Sequence, residues 1–160
     1  MSADTETVDP SCIVADADVL AADVLVGGAS RNALDHVRRH SWMSVVASDE
    51  LAGEARAVIA DLTTEDLAAE WYRRFDRERV VIEQPSSDHP ALASAYRAGA
   101  AHLLTFDEQL TTTAANLAMK SHMSVSIRHP DSFARLFDAE SLYESLHDDS
   151  YPGPDCDPRG

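Results

Sequence analysis

The chain has 160 residues, 44% of them hydrophobic, and a mean hydropathy of −0.26. This suffices for one domain with a single core, and no apolar run approaches the roughly 20 residues of a membrane helix. Cys12 and Cys156 lie at opposite ends of the sequence, which argues against a disulfide framework or a cysteine metal site. The polar, acidic start has no basic or apolar signal core, and it therefore predicts a cytoplasmic protein.

The net charge of −15 comes from 28 acidic residues against 13 basic ones, and Lys120 is the only lysine. The acids are spread along the chain rather than confined to one block. This distribution favours the solvating surface of a halophile's protein over an acidic surface that faces a partner and avoids nucleic acid. A chain of this charge needs metal ions, high salt or a local basic strip to bind a polyphosphate.

The first predicted element is a short apolar strand, Cys12–Ala15, which runs directly into Asp16 and Asp18. A strand that is apolar along its whole length is expected where both faces are covered, as in a parallel α/β sheet. A helix over Val19–Val26 follows and ends at Gly27-Gly28, where a left-handed cap costs little.

Capping residues and apolar spacing predict the elements in the middle of the chain. Ser30 is expected to cap the second helix, Ser48 the third, and Thr63 or Thr64 the fourth. Met43–Ala47 is the predicted strand between the second and third helices. The buried stripes predicted for these three helices are Ala33, Leu34 and Val37; Leu51, Ala55, Val58, Ile59 and Leu62; and Leu67, Trp71 and Phe75.

The second half of the chain continues to alternate between strands and helices, which predicts a doubly wound α/β sheet. The remaining predicted strands are Val80–Glu83, His102–Thr105 and Ser124–Ile127. The remaining predicted helices are Ala91–Ala98, which ends at Gly99; a stretch from Asp107 through Met119; and Asp131–Phe137, which Pro130 begins.

Composition changes at both ends of the chain. Residues 1–10 are polar and acidic, and they are expected to be flexible. From Asp148 onward proline, glycine and aspartate dominate, which predicts a disordered tail over residues 148–160. The folded domain is therefore expected to span residues 11–147.

Four acidic residues occupy special positions in this pattern. Asp16 and Asp107 directly follow apolar strands. Asp88 stands at a helix N-terminus, and Glu54 lies one turn into the third helix, on the face that Glu50 shares. Neighbouring parallel strands lie about 4.8 Å apart and end at one edge of the sheet, so these carboxylates are expected to share a small volume.

Carboxylates held together in this way must either take up protons or bind cations. Oxygen ligands at such an edge suit Mg²⁺ or Mn²⁺, and one or two such ions can activate water and polarise a phosphodiester. The alternative is that each acid serves only as a helix cap or turn former, which is common in an acidic chain.

The order and spacing of four segments resemble the PIN-domain ribonucleases. The resemblance covers roughly Cys12–Phe137, and no single motif in it is specific. The four segments are Ile13–Leu20, Ser48–Val58 with Glu54 inside, Asp88–Ala100 and Leu103–Leu110, with a further match at Val125–Phe133.

This resemblance implies a three-layer α/β/α sandwich with a mainly parallel sheet, and metal-dependent cleavage of single-stranded or structured RNA. It also implies that four acids are catalytic and hold Mg²⁺ or Mn²⁺. Membership of the toxin-type branch would bring an antitoxin or other protein partner, and toxins of this kind commonly dimerise. The four implied catalytic and metal-binding residues are Asp16, Glu54, Asp88 and Asp107.

Two further positions are compared with the family's pattern. Thr105 takes the position of the hydroxyl residue that precedes the last acid. The family often has a Thr-Asn or Thr-Ser pair after its first Asp, whereas this chain has Ala17 and Asp18. Asp18 therefore either adds a ligand or marks a change in substrate positioning. A catalytically silent PIN-like module that binds RNA or a protein partner is the alternative function.

Other motifs have weaker claims. Asp16 and Asp18 also resemble the first motif of haloacid-dehalogenase-type phosphatases, for which Lys120 would be the downstream lysine and Asp148-Asp149 the later acidic pair. His36 and His40 lie four residues apart on a predicted helix, a spacing that allows zinc binding but occurs more often on a solvated face. Seven basic residues are candidates for an RNA-facing strip: Arg38, Arg39, His40, Arg73, Arg74, Arg77 and Arg79. For Arg73–Arg79, which alternate with Asp76 and Glu78, an ion-paired helix surface is the alternative.

Overall fold

A computed structural model describes residues 9–83, 89–111 and 125–159 of the chain. Five strands form one sheet in the order β3-β2-β1-β4-β5, and every neighbouring pair is parallel. The strands are β1 (Asp9–Ala15), β2 (Ser44–Ala47), β3 (Val80–Val81), β4 (Ala100–Leu104) and β5 (Ser126–Arg128).

The sheet belongs to a three-layer α/β/α sandwich with doubly wound topology, which confirms the predicted fold class. Residues 108–111 are also helical, while the rest of the helix predicted through Met119 lies outside the described residues. The complete described helices are α1 (Ala17–Leu25), α2 (Gly28–Arg38), α3 (Asp49–Leu62), α4 (Glu65–Glu78), α5 (Pro90–Ala98), α6 (Pro130–Leu136) and α7 (Ala139–Leu146).

The strand order reverses at β1, which lies between β2 and β4. In open α/β sheets a crevice forms at such a reversal, beyond the carboxyl ends of the two central strands. Ile13, Val14 and Ala15 of β1 are fully buried, as are Leu103 and Leu104 of β4. The carboxyl ends of β1 and β4 are therefore anchored in the core, and the residues that follow them open onto the crevice.

Local signals account for many of the helix ends. The Leu51 N–H donates to Ser48 Oγ at 3.1 Å at the start of α3, as predicted. Thr64 rather than Thr63 caps α4, because Thr63 Oγ1 instead donates to the carbonyl of Ile59 at 2.6 Å. Gly99 ends α5 in the left-handed region with φ 66°.

The prediction that Ser30 caps the second helix is wrong. Helix α2 already begins at Gly28, and Ser30 is buried inside it. Gly27 and Gly28 have φ values of 83° and 53°, a region that other residues rarely adopt. The two glycines therefore turn the chain from α1 directly into α2, and no capping serine is needed.

Other element bounds differ from the sequence prediction. The third strand is limited to Val80–Val81, β4 begins two residues earlier than predicted, and α7 was not predicted. Asp138 caps α7 by accepting a hydrogen bond from the Ser141 N–H at 3.1 Å. Leu62, predicted to be buried, is 68% exposed because it is the last residue of α3.

Residues 148–159, for which composition predicts disorder, make specific contacts with α2 and the loop after it. The backbone N–H groups of Asp155 and Cys156 donate to the carbonyl of Arg39 at 2.9 and 3.1 Å. Asp155 also accepts a hydrogen bond from the Ser41 N–H at 2.8 Å. Composition does not reveal these contacts, because their partners lie more than 100 residues earlier in the chain.

At the other end, Asp9 and Pro10, expected to be flexible, form the start of β1. Residues 1–8 lie outside the described residues. Within the described part of the chain, no helix is long and apolar enough to cross a membrane.

Candidate functional site at the carboxyl edge of the sheet

Asp16 lies at the crevice, between the end of β1 and the start of α1. Its N–H donates to the carbonyl of Leu104 at 2.9 Å, which ties it to the end of β4. Its Oδ1 caps α1 by accepting from the Ala17 N–H at 2.8 Å, and its Oδ2 accepts from Thr105 Oγ1 at 2.9 Å. Asp16 is therefore a helix cap, as the alternative interpretation holds, and it is also fixed at the switch point. Each carboxylate oxygen retains a further lone pair for a ligand.

Thr105 links the two strands of the crevice. It is only 1% exposed, and its Oγ1 donates to Asp16 while accepting from the Asp107 N–H at 3.0 Å. The hydroxyl thus sets the positions of the acids that follow β1 and β4. A buried hydroxyl engaged on both sides has little freedom to move, so Thr105 is a positioning residue for this edge of the sheet.

Asp107 caps the helical residues 108–111 instead of entering the crevice. Its Oδ1 accepts from the Gln109 N–H at 2.9 Å, and the residue is exposed. It is not among the residues that line the cavity next to Asp16. Asp16 and Asp107 therefore do not line one cavity, contrary to the expectation from their positions, and are linked instead by the Thr105 hydroxyl, which contacts the Asp16 carboxylate and the Asp107 backbone N–H.

A cavity of about 240 Å³ lies beside Asp16. Three carboxyl side chains line it, from Asp16, Asp18 and Glu54, and the imidazole of His89 lies on the same wall. Among the described residues, no lysine or arginine lines this cavity. The remaining lining residues are Ala17, Val58, Pro90, Ala91 and Leu110. We refer to this space as the acidic cavity.

The acids of this cavity lie near enough to influence one another. Desolvation at the cavity wall raises the pKa of Glu54 above its ordinary value, and the negative charges of Asp16, Asp18 and Glu50 raise it further. His89 acts in the opposite direction and lowers the same pKa. Glu54 thus responds electrostatically to acids of both α1 and α3, as expected of carboxylates that share a volume.

The structure brings together some of the predicted site residues but not all of them. Asp16, Glu54 and the supporting Asp18 line the acidic cavity, and Thr105 is hydrogen-bonded to its rim. Asp107 lies aside, and Asp88 falls within residues 84–88, outside the described part of the chain.

The sequence prediction missed His89. It immediately precedes α5, at the N-cap position, where its side chain makes no capping hydrogen bond. Its place directly before Pro90 at the first turn of a helix was the available signal. The start of α5 lies at the same cavity as the acids, and His89 is therefore one of its lining residues.

The donor set of the acidic cavity suits Mg²⁺ or Mn²⁺, since carboxylate oxygens are the ligands these ions prefer. Within residues 9–83, 89–111 and 125–159, however, no three His, Cys, Asp or Glu side chains are arranged closely enough to hold a metal ion. The chemistry of the residues fits a divalent cation, while the described side chains do not form a closed ligand shell.

The two histidines four residues apart on α2 do not form a zinc site. The Nε2 of His36 lies 3.1 Å from the carbonyl of Ala134. His40 is buried, with its Nδ1 2.6 Å from the carbonyl of His36 and its Nε2 2.6 Å from the Tyr151 hydroxyl. Each ring therefore connects α2 to a different neighbouring segment. This is a structural role.

The candidate basic strip divides into two parts. Arg38 forms ion pairs with Asp23 and Asp35, and the buried Arg79 forms ion pairs with Asp49 and Asp76. The ion-paired interpretation is thus confirmed for Arg79, and Arg38, for which it was not predicted, is ion-paired as well. Arg39, Arg73, Arg74 and Arg77 are exposed. Lys120, on which the phosphatase alternative depends, lies outside the described residues.

Comparison with known proteins gives one finding. No curated protein and no solved structure matches the chain. One family model matches residues 7–159, which is nearly the whole chain, and its description is "Family of unknown function". The chain therefore belongs to DUF7384, a family of unknown function.

Proposed function

We propose that this protein is a divalent-metal-dependent endoribonuclease that cleaves RNA phosphodiester bonds at the acidic cavity. The observation that carries the proposal is the convergence of Asp16, Asp18 and Glu54 on one cavity at the switch point of a parallel sheet. Open α/β folds place their chemistry at this position. The resemblance to PIN-domain ribonucleases supports the same reaction.

Asp16, Asp18 and Glu54 would supply part of the ligand set for Mg²⁺ or Mn²⁺ in this proposal, since they are not arranged closely enough to hold the ion by themselves. Asp88 would contribute from the position just before His89. Asp107 would contribute only by turning its side chain away from the Gln109 N–H that it now caps. The bound ion would polarise the phosphodiester and supply hydroxide at neutral pH. The acids themselves would fix the ion at the crevice, while Thr105 would hold Asp16 in one orientation by its hydrogen bond.

The charge of the chain constrains the assay conditions. At a net charge of −15 the protein repels RNA, which is itself a polyanion. Divalent cations would lower this repulsion at the site, and high salt would screen it elsewhere, in keeping with a halophile's cytoplasm. Cleavage is therefore expected in high salt with Mn²⁺ or Mg²⁺, on single-stranded or structured RNA.

The test is the substitution Asp16→Asn, assayed on a labelled RNA with Mn²⁺. Asparagine is as good a helix cap as aspartate, so α1 is expected to keep its start. Loss of a ligand charge should lower the cleavage rate by about 100-fold or more. Asp61→Asn, which changes an exposed acid of α3 away from the cavity, should leave the rate unchanged and also controls for contaminating nuclease.

Full activity in purified Asp16→Asn would remove the assignment of the site. Absence of RNA cleavage in the wild-type protein, across Mn²⁺ and Mg²⁺ at several salt concentrations, would remove the proposed reaction. Circular dichroism of the variant separates a lost site from a lost fold.

A catalytically silent module that binds RNA or a protein partner is the second candidate function. Two observations favour it. The ligand shell is incomplete among the described residues, and Ala17-Asp18 stand where PIN-domain ribonucleases often have a Thr-Asn or Thr-Ser pair. Isothermal titration with Mn²⁺ distinguishes the two candidates. No heat of binding in the millimolar range would favour the silent module, for which an antitoxin-like partner or a second copy of the chain is the expected ligand.

A further inference from the structure

Two adjoining cavities lie outside the candidate nuclease site. One measures about 260 Å³ and the other about 340 Å³, and they share no lining residue with the acidic cavity. They are formed by α1, α2, α4, the start of β2 and residues 156–159. The residues that line both are Leu20, Arg38, Phe75, Glu78 and Pro158. We refer to the pair as the arginine cavity.

The smaller half of the arginine cavity has an apolar floor, although His40, Ser41 and Asp157 also line it. Its floor consists of buried side chains from α1, α2, α4 and the loop before β2, among them Leu34, Met43 and Phe75. The Phe75 ring stacks on Trp71, with ring centroids 4.9 Å apart and an interplanar angle of 11°. A rigid apolar floor of this kind suits an aromatic or aliphatic ligand body.

The larger half carries an excess of positive charge. Four arginines line it, against two acids, Asp23 and Glu78. Asp35 lies behind this wall and adds a third negative charge, since it pairs with Arg38 and Arg159. The larger half alone is thus slightly positive, while Asp157 on the smaller half brings the two halves together to four arginines and four acids. This balance contrasts with the net charge of −15 of the whole chain. The four arginines are Arg31, Arg38, Arg74 and Arg159.

Two of these arginines, Arg38 and Arg159, are held in place by ion pairs with acids. We refer to Arg38, Arg159, Asp23 and Asp35 as the ion-pair network. Arg38 is paired with both Asp23 and Asp35. The Arg159 guanidinium donates two hydrogen bonds to the Asp35 carboxylate, at 2.9 and 2.8 Å. Asp155 holds the segment that carries Arg159 through its hydrogen bonds to the α2–β2 loop. This side of the cavity is therefore held in place by the protein's own charges.

The other two arginines keep charge for a ligand. Arg31 donates two hydrogen bonds to the backbone carbonyl of Asp23, and its nearest carboxylate oxygen is 4.0 Å away. The guanidinium of Arg74 forms no hydrogen bond or ion pair with any other described residue. An arginine fork aimed at a pocket is suited to bind a phosphate group.

We propose that the arginine cavity binds a small organic phosphate with an aromatic body, of about the size of a mononucleotide. The phosphate contacts Arg74 and Arg31, and the aromatic body occupies the apolar half against Phe75. Residues 156–159 form one wall of the site. This site is separate from the acidic cavity, and it binds its ligand without a metal ion.

The probe is AMP, measured by isothermal titration and thermal shift on the whole chain in the presence of EDTA. AMP should raise the melting temperature by several degrees at saturation, because it binds only the folded state. Adenosine lacks the phosphate and inorganic phosphate lacks the aromatic body, so each should bind at least about tenfold more weakly.

The matched variants are Arg74→Gln and Arg73→Gln. Both arginines are exposed neighbours on α4, but only Arg74 lines the cavity. Arg74→Gln should weaken AMP binding about tenfold, as expected for the loss of a charged hydrogen-bond donor, while Arg73→Gln should not change it. Asp16→Asn should also leave AMP binding unchanged, which separates this proposal from the nuclease proposal.

Three results would overturn the proposal. The first is the absence of any AMP-dependent heat or thermal shift. The second is equal binding of AMP and adenosine or of AMP and inorganic phosphate, which would show that one half of the cavity is not used. The third is an equal loss in Arg73→Gln and Arg74→Gln, which would indicate nonspecific attraction of an anion.

Discussion

The acidic cavity and the arginine cavity arrange their charges in opposite ways. In the acidic cavity like charges face one another, and they raise the pKa of Glu54 in addition to the effect of its desolvation. At the arginine cavity, Asp23 and Asp35 instead have cationic partners in Arg38 and Arg159. Burial by itself would raise the pKa of Asp35, but hydrogen bonds from Arg159 and Arg38 outweigh it and lower that pKa.

This difference distinguishes a functional site, the acidic cavity, from ion pairs that stabilise the fold. Carboxylates gathered without a cation cost folding free energy, and a fold keeps such an arrangement where function needs it. Paired acids and arginines instead hold α1, α2 and the C-terminal residues together. Removing a charge from the acidic cavity is therefore expected to raise the protein's free energy of unfolding. Removing a charge from the ion-pair network is expected to lower it.

The largest expected effect is that of Asp23→Asn, which removes the main partner of Arg38. The side chains of Asp23 and Arg38 are only 8% and 21% exposed, so the loss leaves a poorly solvated guanidinium that retains Asp35 alone. We expect the free energy of unfolding to fall by about 2–3 kcal/mol, as measured by urea denaturation. A change below about 0.5 kcal/mol, no larger than a typical surface substitution, would contradict this assignment. Asp149→Asn, at an exposed acid, is the control.

Thr105→Val tests the hydrogen bonds that position Asp16 at the acidic cavity. Valine fills the same volume but removes the hydroxyl that joins Asp16 to the Asp107 N–H. We expect a loss of roughly 1–2 kcal/mol of unfolding free energy, and a larger loss of metal-dependent cleavage than Thr105→Ser produces. Serine retains the hydroxyl, so equal behaviour of the two variants would show that the bridging hydrogen bonds have no role.

Arg159→Gln tests the exposed end of the ion-pair network. Arg159 is 52% exposed and Asp35 retains Arg38, so the expected loss is only about 0.5–1 kcal/mol. The folded-state pKa of Asp35 is lowered from its ordinary value of 3.8. The stability from this pairing is therefore present above that value and is lost as the pH falls through the lower, folded-state pKa. Denaturation curves at about pH 7 and about pH 3 should show the difference between variant and wild type shrinking.

Glu54→Gln has the smallest expected effect and the opposite sign. The folded-state pKa of Glu54 is raised above its ordinary value of 4.5, so the folded protein binds the proton more tightly than the unfolded chain does. Its destabilising contribution is absent below the ordinary pKa and is complete above the raised one. Without metal at about pH 7, the variant should be more stable by a few tenths of a kcal/mol.

The Glu54→Gln difference should disappear in thermal melts below about pH 4, where the side chain is protonated in both states. Glu70→Gln, an exposed acid on α4, is the control. A destabilised Glu54→Gln at neutral pH would show that Glu54 is not repelled by its acidic neighbours, and the comparison between the two cavities would then fail.

Much of the fold was predictable because its signals are local. The uniformly apolar Cys12–Ala15 indicated a strand covered on both faces, and Ile13, Val14 and Ala15 are fully buried. Ser48 and Gly99 marked helix ends through contacts within one turn. Ser30 misled the prediction, because a serine before an apolar stripe has the same pattern whether it caps a helix or lies inside one.

The candidate site was only partly predictable. Asp16 was found because it directly follows a buried strand. Asp107 shows the same signal, but its side chain caps residues 108–111 by accepting from the Gln109 N–H. That His89 and the exposed Asp18 line the same cavity depends on how α1, α3 and α5 pack. Spacing along the chain does not determine that packing.

The sequence by itself determined the alternation of strands and helices, the apolar β1 with Asp16 at its end, and the excess of negative charge, since each depends on composition or on neighbours along the chain. Only the tertiary structure decided which acids share a cavity. It also decided that residues 148–159 lie on α2 and that four arginines meet beside Phe75. These outcomes depend on which distant segments come together when the sheet is assembled. Side-chain type and spacing do not encode that contact.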